Sequence, residues 1–453
     1  MNLPNYFLAD LPPDAPLTPR LITEACRTLK RNRAQFLAAR STACIVTLLA
    51  NVAAQWLKED SHLRKLALAE GPKALGFSQE TLARGLDDFF REVTGANLNA
   101  LIEQDLGDVG GLDRPVAARA GQGTPRQAMA VGPEFLAHIA AGNIPNPALM
   151  SLMLGLLTRS AQFMKCATGN TLLPRLFAHS IYEADPKLGA CLEVAEWSGG
   201  NATLEEALFA EADCVTATGS DESLASVRGK LPVRTRFVGY GHRVSFGFVA
   251  AGATTMSSAE ELAARAAEDV AAWDQLGCLS PHVIYVAEGA GVSADEFAGL
   301  LADAIVQREQ TQPRGPIPTE LAATIASRRT VFGVRAAHSG DTRIWQSENS
   351  TAWTVVYEAE PRFQASCLHR WIYVKAVKSV ADLLIATDAV RGQVSTVGLA
   401  APEERAAAIV AALARWGVTR VCPLGQMQQP PLTWRHDGRP ALGELVAWTD
   451  WES

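Results

Sequence analysis

Four short motifs carry residue types able to do chemistry together. The first is Ala140-Ala-Gly-Asn-Ile-Pro-Asn-Pro, an apolar run that ends in a Gly-Asn-X-Pro turn and leads into a helical stretch. Asn143 there can aim its side-chain amide at a developing oxyanion, a contribution of roughly 2.7–4 kcal/mol. Its plainer role is a tight turn in which Asn and Pro set backbone angles. The second motif is Met164-Lys-Cys-Ala-Thr-Gly-Asn, one crossover later. Lys165 at a strand end can hydrogen-bond the ribose or phosphate of a cofactor, and otherwise is a solvated surface charge. The third, Thr218-Gly-Ser-Asp-Glu-Ser, again joins an apolar run to a helix. A Gly-Ser turn at a helix N-terminus offers backbone N–H groups and the helix dipole to an anion, although such turns are common. The fourth is Trp273-Asp-Gln-Leu-Gly-Cys-Leu-Ser-Pro-His. Cys278 follows a long helical stretch and a glycine, among polar and turn-forming neighbours. A cysteine in a cleft between domains can form a thioester with an acyl group; the alternative is a buried, inert thiol.

The segments around these motifs predict how they are held. Residues 18–110 read as helices, with Leu21, Ala25 and Leu29, then Phe36 and Ala39, at helical spacing and Ser78 as an N-cap. Gly107 to Gly123, with five glycines, reads as a loop and boundary. From about residue 129 short apolar runs (AMAVG, HIAAG, AQFMKC, CLEVAEW, ADCVTATG) alternate with helical segments at Pro147–Leu157, Leu172–Tyr182, Leu204–Ala210 and Glu222–Arg228. This alternation predicts a parallel sheet with crossover helices, its strands apolar on both faces. A second α/β block follows. VSFGFVA, HVIYVAE, TAWTVVYE and RWIYVKAV are its strands, and Val292–Gln310 and Pro402–Trp416 are helices. A further helix is read over Ser257–Trp273, capped by Ser257 or Ser258 with Glu260 and Glu261 in its first turn. The Trp-rich end, from Leu432, reads as loop with one strand.

Composition bounds the function. The 453 residues are 48% hydrophobic and 20% charged, enough for two or three domains with real cores and against wholesale disorder. With 41 basic and 48 acidic residues the net charge is −7, which argues against a nucleic-acid binder. The longest apolar run, Ala43 to Leu57, is short of the ~20 residues that cross a bilayer, so no membrane span is expected. The opening residues lack the basic stretch of a secretory leader. The eight cysteines are scattered, with no CxxC pair and no histidine at zinc-ligand spacing. Free thiols, a reducing cytoplasm and no metal are therefore expected.

Taken in order, the four motifs resemble the aldehyde dehydrogenase superfamily and, within it, the bacterial acyl-CoA reductase family of the LuxC type. GNIP, K-x-x-x-GN, WDQ-x-GC-x-SP and the ending HDGRPALGELVAWTDWE carry the resemblance. So do the separations of 22 and 135 residues from Asn143 to Lys165 and to Cys278. The resemblance covers about residue 110 to the end and the N-terminal helices only loosely. It implies an α/β fold: a doubly wound NADP(H)-binding domain over 111–240, a catalytic α/β domain over 241–425, an N-terminal helical segment over 1–110, and a segment 426–453 able to serve as an oligomerisation strand. It implies that Cys278 is the nucleophile and that Asn143, with the Cys278 backbone N–H, holds the oxyanion. Lys165 matches the cofactor lysine, and Gly219 and Ser220 the turn beneath the cofactor pyrophosphate.

Two departures refine this. Three residues after the lysine, NAD-preferring relatives often carry a glutamate; here Thr168 stands, which suits the 2′-phosphate of NADPH. Acid-forming relatives carry a glutamate base about 34 residues before the cysteine; Val238-Gly-Tyr-Gly-His-Arg-Val-Ser has no carboxylate. Without a base to activate water, an acyl-cysteine thioester should persist. Gly241 and His242 in this turn are read as cofactor contacts, with a proton relay through His242 the alternative. Glu358 and Glu360 are candidates for holding the nicotinamide ribose. The expected activity is NADPH-dependent reduction of a fatty acyl-CoA or acyl-carrier thioester to the aldehyde, in a homo-oligomer, with a synthetase as a possible acyl-transferring partner. The competing readings are aldehyde oxidation to free acid, an acyltransferase using the same cysteine, and a non-catalytic acyl-binding or scaffold paralogue.

Overall fold

A computed structural model describes residues 3–12, 15–117 and 126–452. Five helices open the chain: Pro19–Asn32, Thr42–Trp56, His62–Leu75, Gln79–Glu92 and Gly95–Leu106. Thr18, Ser41, Ser78 and Thr94 each accept a hydrogen bond from a backbone N–H of the first turn they precede, as N-caps do. The Ala43–Leu57 stretch is a core helix: Ile45, Leu49, Val52 and Trp56 are buried, and the Trp56 indole N–H donates to Ser180 Oγ at 3.1 Å. Among the described residues no single helix is long and apolar enough to cross a membrane.

The first sheet has five parallel strands in the order Leu192–Glu196, Ala161–Cys166, Phe135–Ile139, Cys214–Thr218, Arg236–Tyr240. Its helices are Asn146–Leu157, Leu172–Ala184, Ala202–Phe209 and Asp221–Lys230. Strand Ala161–Cys166 is buried along its whole length, as a strand covered on two faces must be. AMAVG is not part of this sheet. Its strand, Arg126–Val131, pairs antiparallel with Val116–Ala117 and with Ala447–Glu452. No crossover helix separates it from the strand that follows, so it cannot join in parallel.

The second sheet has seven strands in the order Thr342–Gln346, Thr354–Glu358, Trp371–Val377, Pro281–Ala287, Val244–Val249, Val394–Ala400, Arg420–Pro423. Only the first pair is antiparallel. Alternation sorts its side chains: Ile284 and Val286 pack toward helices Met256–Ala271 and Ala294–Thr311, and Val283 and Tyr285 toward Thr319–His338 and Glu403–Trp416. The expected cap of Met256–Ala271 is corrected: Thr255 is the N-cap, and Ser258 Oγ accepts from the Thr255 N–H at 3.0 Å. Glu260 and Glu261 therefore fall beyond the first turn.

The chain between that helix and Cys278 takes an unusual path. Trp273, Asp274 and Gln275 all have left-handed backbone, with φ of 50°, 49° and 66°, a conformation that costs roughly 1–2 kcal/mol per residue. Leu368, His369 and Arg370 do the same at 63°, 54° and 65°. The two turns are tied together. The Arg370 guanidinium donates to Asp274 Oδ1 at 3.0 and 2.7 Å, to Glu309 Oε2 at 2.6 Å and to the Gln312 carbonyl at 2.8 Å. Gln275 Nε2 donates to the carbonyls of Pro281 and Trp371. Arg370 and Asp274 are both removed from water. Trp273 packs on helix Gln79–Glu92, where a Cβ on Gly85 would lie 2.0 Å from its ring. Arg370→Gln is expected to strand the Asp274 charge and to destabilise the fold by about 3–5 kcal/mol, measured by urea unfolding. Gly85→Ala is expected to cost about 1–3 kcal/mol through overpacking.

Candidate active site

Parallel sheets present their ligand crevice at the carboxyl ends of the strands. Here four such ends lie side by side. Lys165 closes the second strand of the five-stranded order, the Ala140–Pro147 turn follows the central one, and Gly219 and Ser220 follow the fourth. Gly241 and His242 follow the edge strand. The last two turns touch: the Gly219 N–H donates to the Tyr240 carbonyl, and the His242 N–H donates to Asp221 Oδ1 at 3.0 Å. A Cβ on Gly241 would fall 2.3 Å from that oxygen, so glycine is what lets the turn close on the helix. Ser220 caps helix Asp221–Lys230 through its side chain.

Lys165 is buried, and its ammonium makes no hydrogen bond among the described residues; it lies 5.9 Å over the Trp197 ring. Burial pulls its pKa down, against the opposing pull of Glu205 and Glu196. A buried ammonium at one strand end and a Gly-Ser turn at a helix N-terminus two strands over form a donor set that fits a dinucleotide phosphate. Thr168 is exposed, with its hydroxyl 3.3 Å from Ser198 Oγ. A carboxylate does lie nearby, one strand over: Glu196 accepts from the Gly169 N–H and the Thr171 hydroxyl.

Cys278 lines a largely apolar cavity of about 180 Å³. Four parts of the chain build it. Helix Gln79–Glu92 brings Gly85 and Phe89, and the Asn146–Leu157 helix brings Met150 and Leu154. Thr218 and Tyr240 come from the strand ends, and the segment 428–441 brings Leu432, Trp434 and His436. Ser245 Oγ donates to the Cys278 carbonyl at 2.7 Å and fixes the loop. Burial pushes the Cys278 thiol up to about 11; the Asp437 carboxylate adds to this, and Arg243 and Arg420 oppose it. Cys278 is therefore held as a thiol at neutral pH.

Asn143 is not in this cavity. It is exposed and lines a smaller neighbouring one with Phe77 and Asn170, whereas Ile144 and Asn146 line that of Cys278. Glu358 lies elsewhere again, at a separate depression with Arg335 and His338. It is buried and paired with Arg335 at 2.7 Å and Lys375 at 3.6 Å. Glu360 borders the same depression. Sequence reasoning missed two walls. One is the helix Gln79–Glu92, set aside as packing. The other is the segment 428–441, read as loop leading to an oligomerisation strand and not as part of the site. That segment is pinned inside the cleft: Gln428 donates to Ser280 Oγ, Arg439 to the Gly239 carbonyl at 2.8 Å, and the Leu442 N–H to Asp105.

The two parallel sheets and the crevice at their strand ends define the architecture of the aldehyde dehydrogenases. The same architecture recurs in a bifunctional proline utilization A protein (TM-score 0.71, 17% identity, 98% of this chain and 45% of that one). It recurs in a NAD-dependent benzaldehyde dehydrogenase from Corynebacterium glutamicum (TM-score 0.68, 13% identity, 98% and 94%). At those identities the likeness is one of fold. The family model for acyl-CoA reductase (LuxC) matches residues 37–448, and the chain belongs to that family, the acyl thioester reductases. Among its relatives are the long-chain acyl-protein thioester reductase of Aliivibrio fischeri, 23% identical over 418 residues (90% of this chain, 82% of that one). The protein of the same name in Vibrio harveyi is 24% identical over 319 residues (70% and 63%).

The raised thiol gives a testable pH dependence. Because the thiolate is disfavoured below about pH 11, iodoacetamide is expected to alkylate Cys278 more slowly at pH 8 than it does a free cysteine, whose pKa is near 8.5. The rate should keep climbing up to that pH, followed by peptide mass spectrometry.

Proposed function

We propose that this protein reduces a fatty acyl thioester to the aldehyde, with NADPH as reductant and Cys278 as the acyl carrier. One observation carries the reading: Cys278 lines the same cavity as Thr218 and Tyr240, which lie at the carboxyl ends of two strands of the first sheet. The acyl carbonyl and the cofactor can therefore meet at one sulfur. On this reading residues 111–240 form the cofactor unit and 241–425 the catalytic unit. NADPH, when bound, supplies the hydride.

The chain's own residues do the rest. Cys278 Sγ attacks the thioester carbonyl and expels the donor thiol. The oxyanion is held by the Cys278 backbone N–H and by the Gly-Asn-Ile-Pro turn, in which Asn143 is the amide proposed to swing inward. Lys165 and Thr168 hold the adenosine ribose and its 2′-phosphate, Gly219 and Ser220 the pyrophosphate, and Gly241 and His242 border it. The donor is CoA, a carrier protein or a synthetase partner; the names of the relatives favour a protein-borne acyl group. Oxidation of aldehyde to free acid is disfavoured because the turn at 238–245 has no carboxylate to activate water. A cytoplasmic setting agrees with eight free thiols. Pairing of two copies through the strand Ala447–Glu452, where Trp448 and Trp451 are exposed, would make the homo-oligomer.

The test is NADPH consumption with acyl-CoAs from C2 to C18 and with a protein-borne acyl thioester. Turnover with a chain-length optimum is expected, abolished in Cys278→Ala without loss of NADPH binding. Turnover retained in that variant would sink the scheme. Lys165→Ala is expected to weaken NADPH binding by about 1.5–3 kcal/mol, read by the fluorescence of the bound nucleotide.

A further inference from the structure

The proposed reaction needs a proton to leave Cys278 and return, yet the turn that supplies a carboxylate base in acid-forming relatives has no carboxylate, and its histidine, His242, is not among the residues lining the Cys278 cavity. The C-terminal segment brings a histidine to the same cavity. His436 lines it together with Cys278 and Tyr240. Its ring is stacked flat on Tyr240 at 4.4 Å and 7°, and against Trp434 at 4.7 Å. Neither ring nitrogen has a hydrogen-bond partner among the described residues; the nearest carboxylate oxygen, Asp437 Oδ1, is 4.0 Å from Nε2. Asp437 has left-handed backbone at φ 55°. Its two oxygens are buried and without hydrogen-bond partners, although Arg243 lies 3.1 Å away as an ion-pair partner. The turn that carries both residues is bolted to the cofactor sheet by Arg439, which donates to the Gly239 carbonyl and lies 4.5 Å over the Tyr240 ring. An imidazole held rigidly by stacking, with both nitrogens free and a carboxylate beside it, is a proton carrier without an assigned use.

We propose that His436 is the proton-transfer residue for Cys278, with Asp437 as its positioning carboxylate. The inference rests on the reading of Cys278 as the nucleophile. In acylation the Cys278 S–H bond breaks, its proton passes to His436, the new S–C bond forms, and the donor C–S bond breaks. The imidazolium then gives the proton to the departing thiolate, so no proton is consumed. In the reductive half, hydride from NADPH reduces the acyl carbon. Collapse of the hemithioacetal breaks its S–C bond and releases aldehyde, and one solvent proton, delivered through His436, restores the thiol. The charged and titratable groups around His436 are Asp437 and Arg439 on its own turn, Arg243 and Tyr240 from the edge strand and its turn, and, lining the same cavity, Cys278 and the helix residues Arg84, Asp88 and Glu92. Burial keeps the imidazole below the usual histidine range, hence neutral and able to accept.

The experiment is the rate of Cys278 acylation by a fatty acyl-CoA, and by a protein-borne acyl thioester, without NADPH, followed by intact-protein mass spectrometry from pH 5 to 10. His436→Gln is expected to slow acylation roughly 10²–10⁴-fold, with NADPH affinity kept within twofold. His436→Gly is expected to recover on addition of imidazole. Asp437→Asn, which leaves the imidazole in place, is expected to move the acid limb of the profile to lower pH, because the carboxylate favours the imidazolium. The proposal is overturned if His436→Gln acylates at the wild-type rate. It is equally overturned if the rate falls while imidazole gives no rescue and Asp437→Asn leaves the acid limb unmoved, since His436 is then only packing. A wild-type protein that binds NADPH but takes no acyl group from either donor would overturn the underlying reading instead.

Discussion

Arg370 and Asp274 meet with almost no water around them, and the path of the chain into Cys278 depends on that meeting. Three consecutive non-glycine residues in left-handed conformation do not persist without something that over-determines them. Here a guanidinium with its donors spread over Asp274, Glu309 and Gln312 does so from one side, and the Trp273 ring lodged over Gly85 does so from the other. A buried ion pair of this kind adds little to net stability compared with apolar groups of equal shape, and its better-attested use is to select one geometry. The selected geometry is the tight entry that ends at Gly277 and Cys278.

Polarity in the cleft follows from this arrangement. Because Trp273 leans out toward the N-terminal helices, the cavity beside Cys278 is closed by side chains from Gln79–Glu92 and not by solvent. That apolar enclosure raises the thiol, as burial of an ionisable group must. It also suits an acyl chain. Polar groups reach the same cavity from two directions: Tyr240 and His436 from the edge strand and the C-terminal segment, and Arg84, Asp88 and Glu92 from the helix Gln79–Glu92.

Much of this was legible from residue order. Runs such as AQFMKC and HVIYVAE are apolar on both faces and could only be interior strands, and the motifs at their ends fell where strand ends must face a crevice. What escaped has physical causes. Arg236–Tyr240, Thr342–Gln346 and Arg420–Pro423 lie at sheet edges, where strands are short and polar by necessity. Val394–Ala400 carries Ser, Thr and Gly and lacks a continuous apolar signature. The left-handed turn at Trp273 was unreadable because none of its three residues is glycine; its holding partner, Arg370, is nearly a hundred positions away. The wall made by residues 428–441 was missed for the same reason: Gln, Pro and Trp look like surface loop until the three bodies they bridge are seen around them. Asn143 is the reverse case, a residue whose motif is plain and which lines the neighbouring space.

The cavity is closed by residues 81–92 at one extreme of the chain and 428–441 at the other. Contacts so distant in sequence form late, since the intervening loop must be ordered before they are rewarded. On the ribosome the helices, both sheets and Cys278 itself emerge before the segment that roofs them. The sulfur is therefore shielded from adventitious electrophiles only in a chain whose two distant segments have both docked, which makes the reactivity of Cys278 a reporter of completed folding.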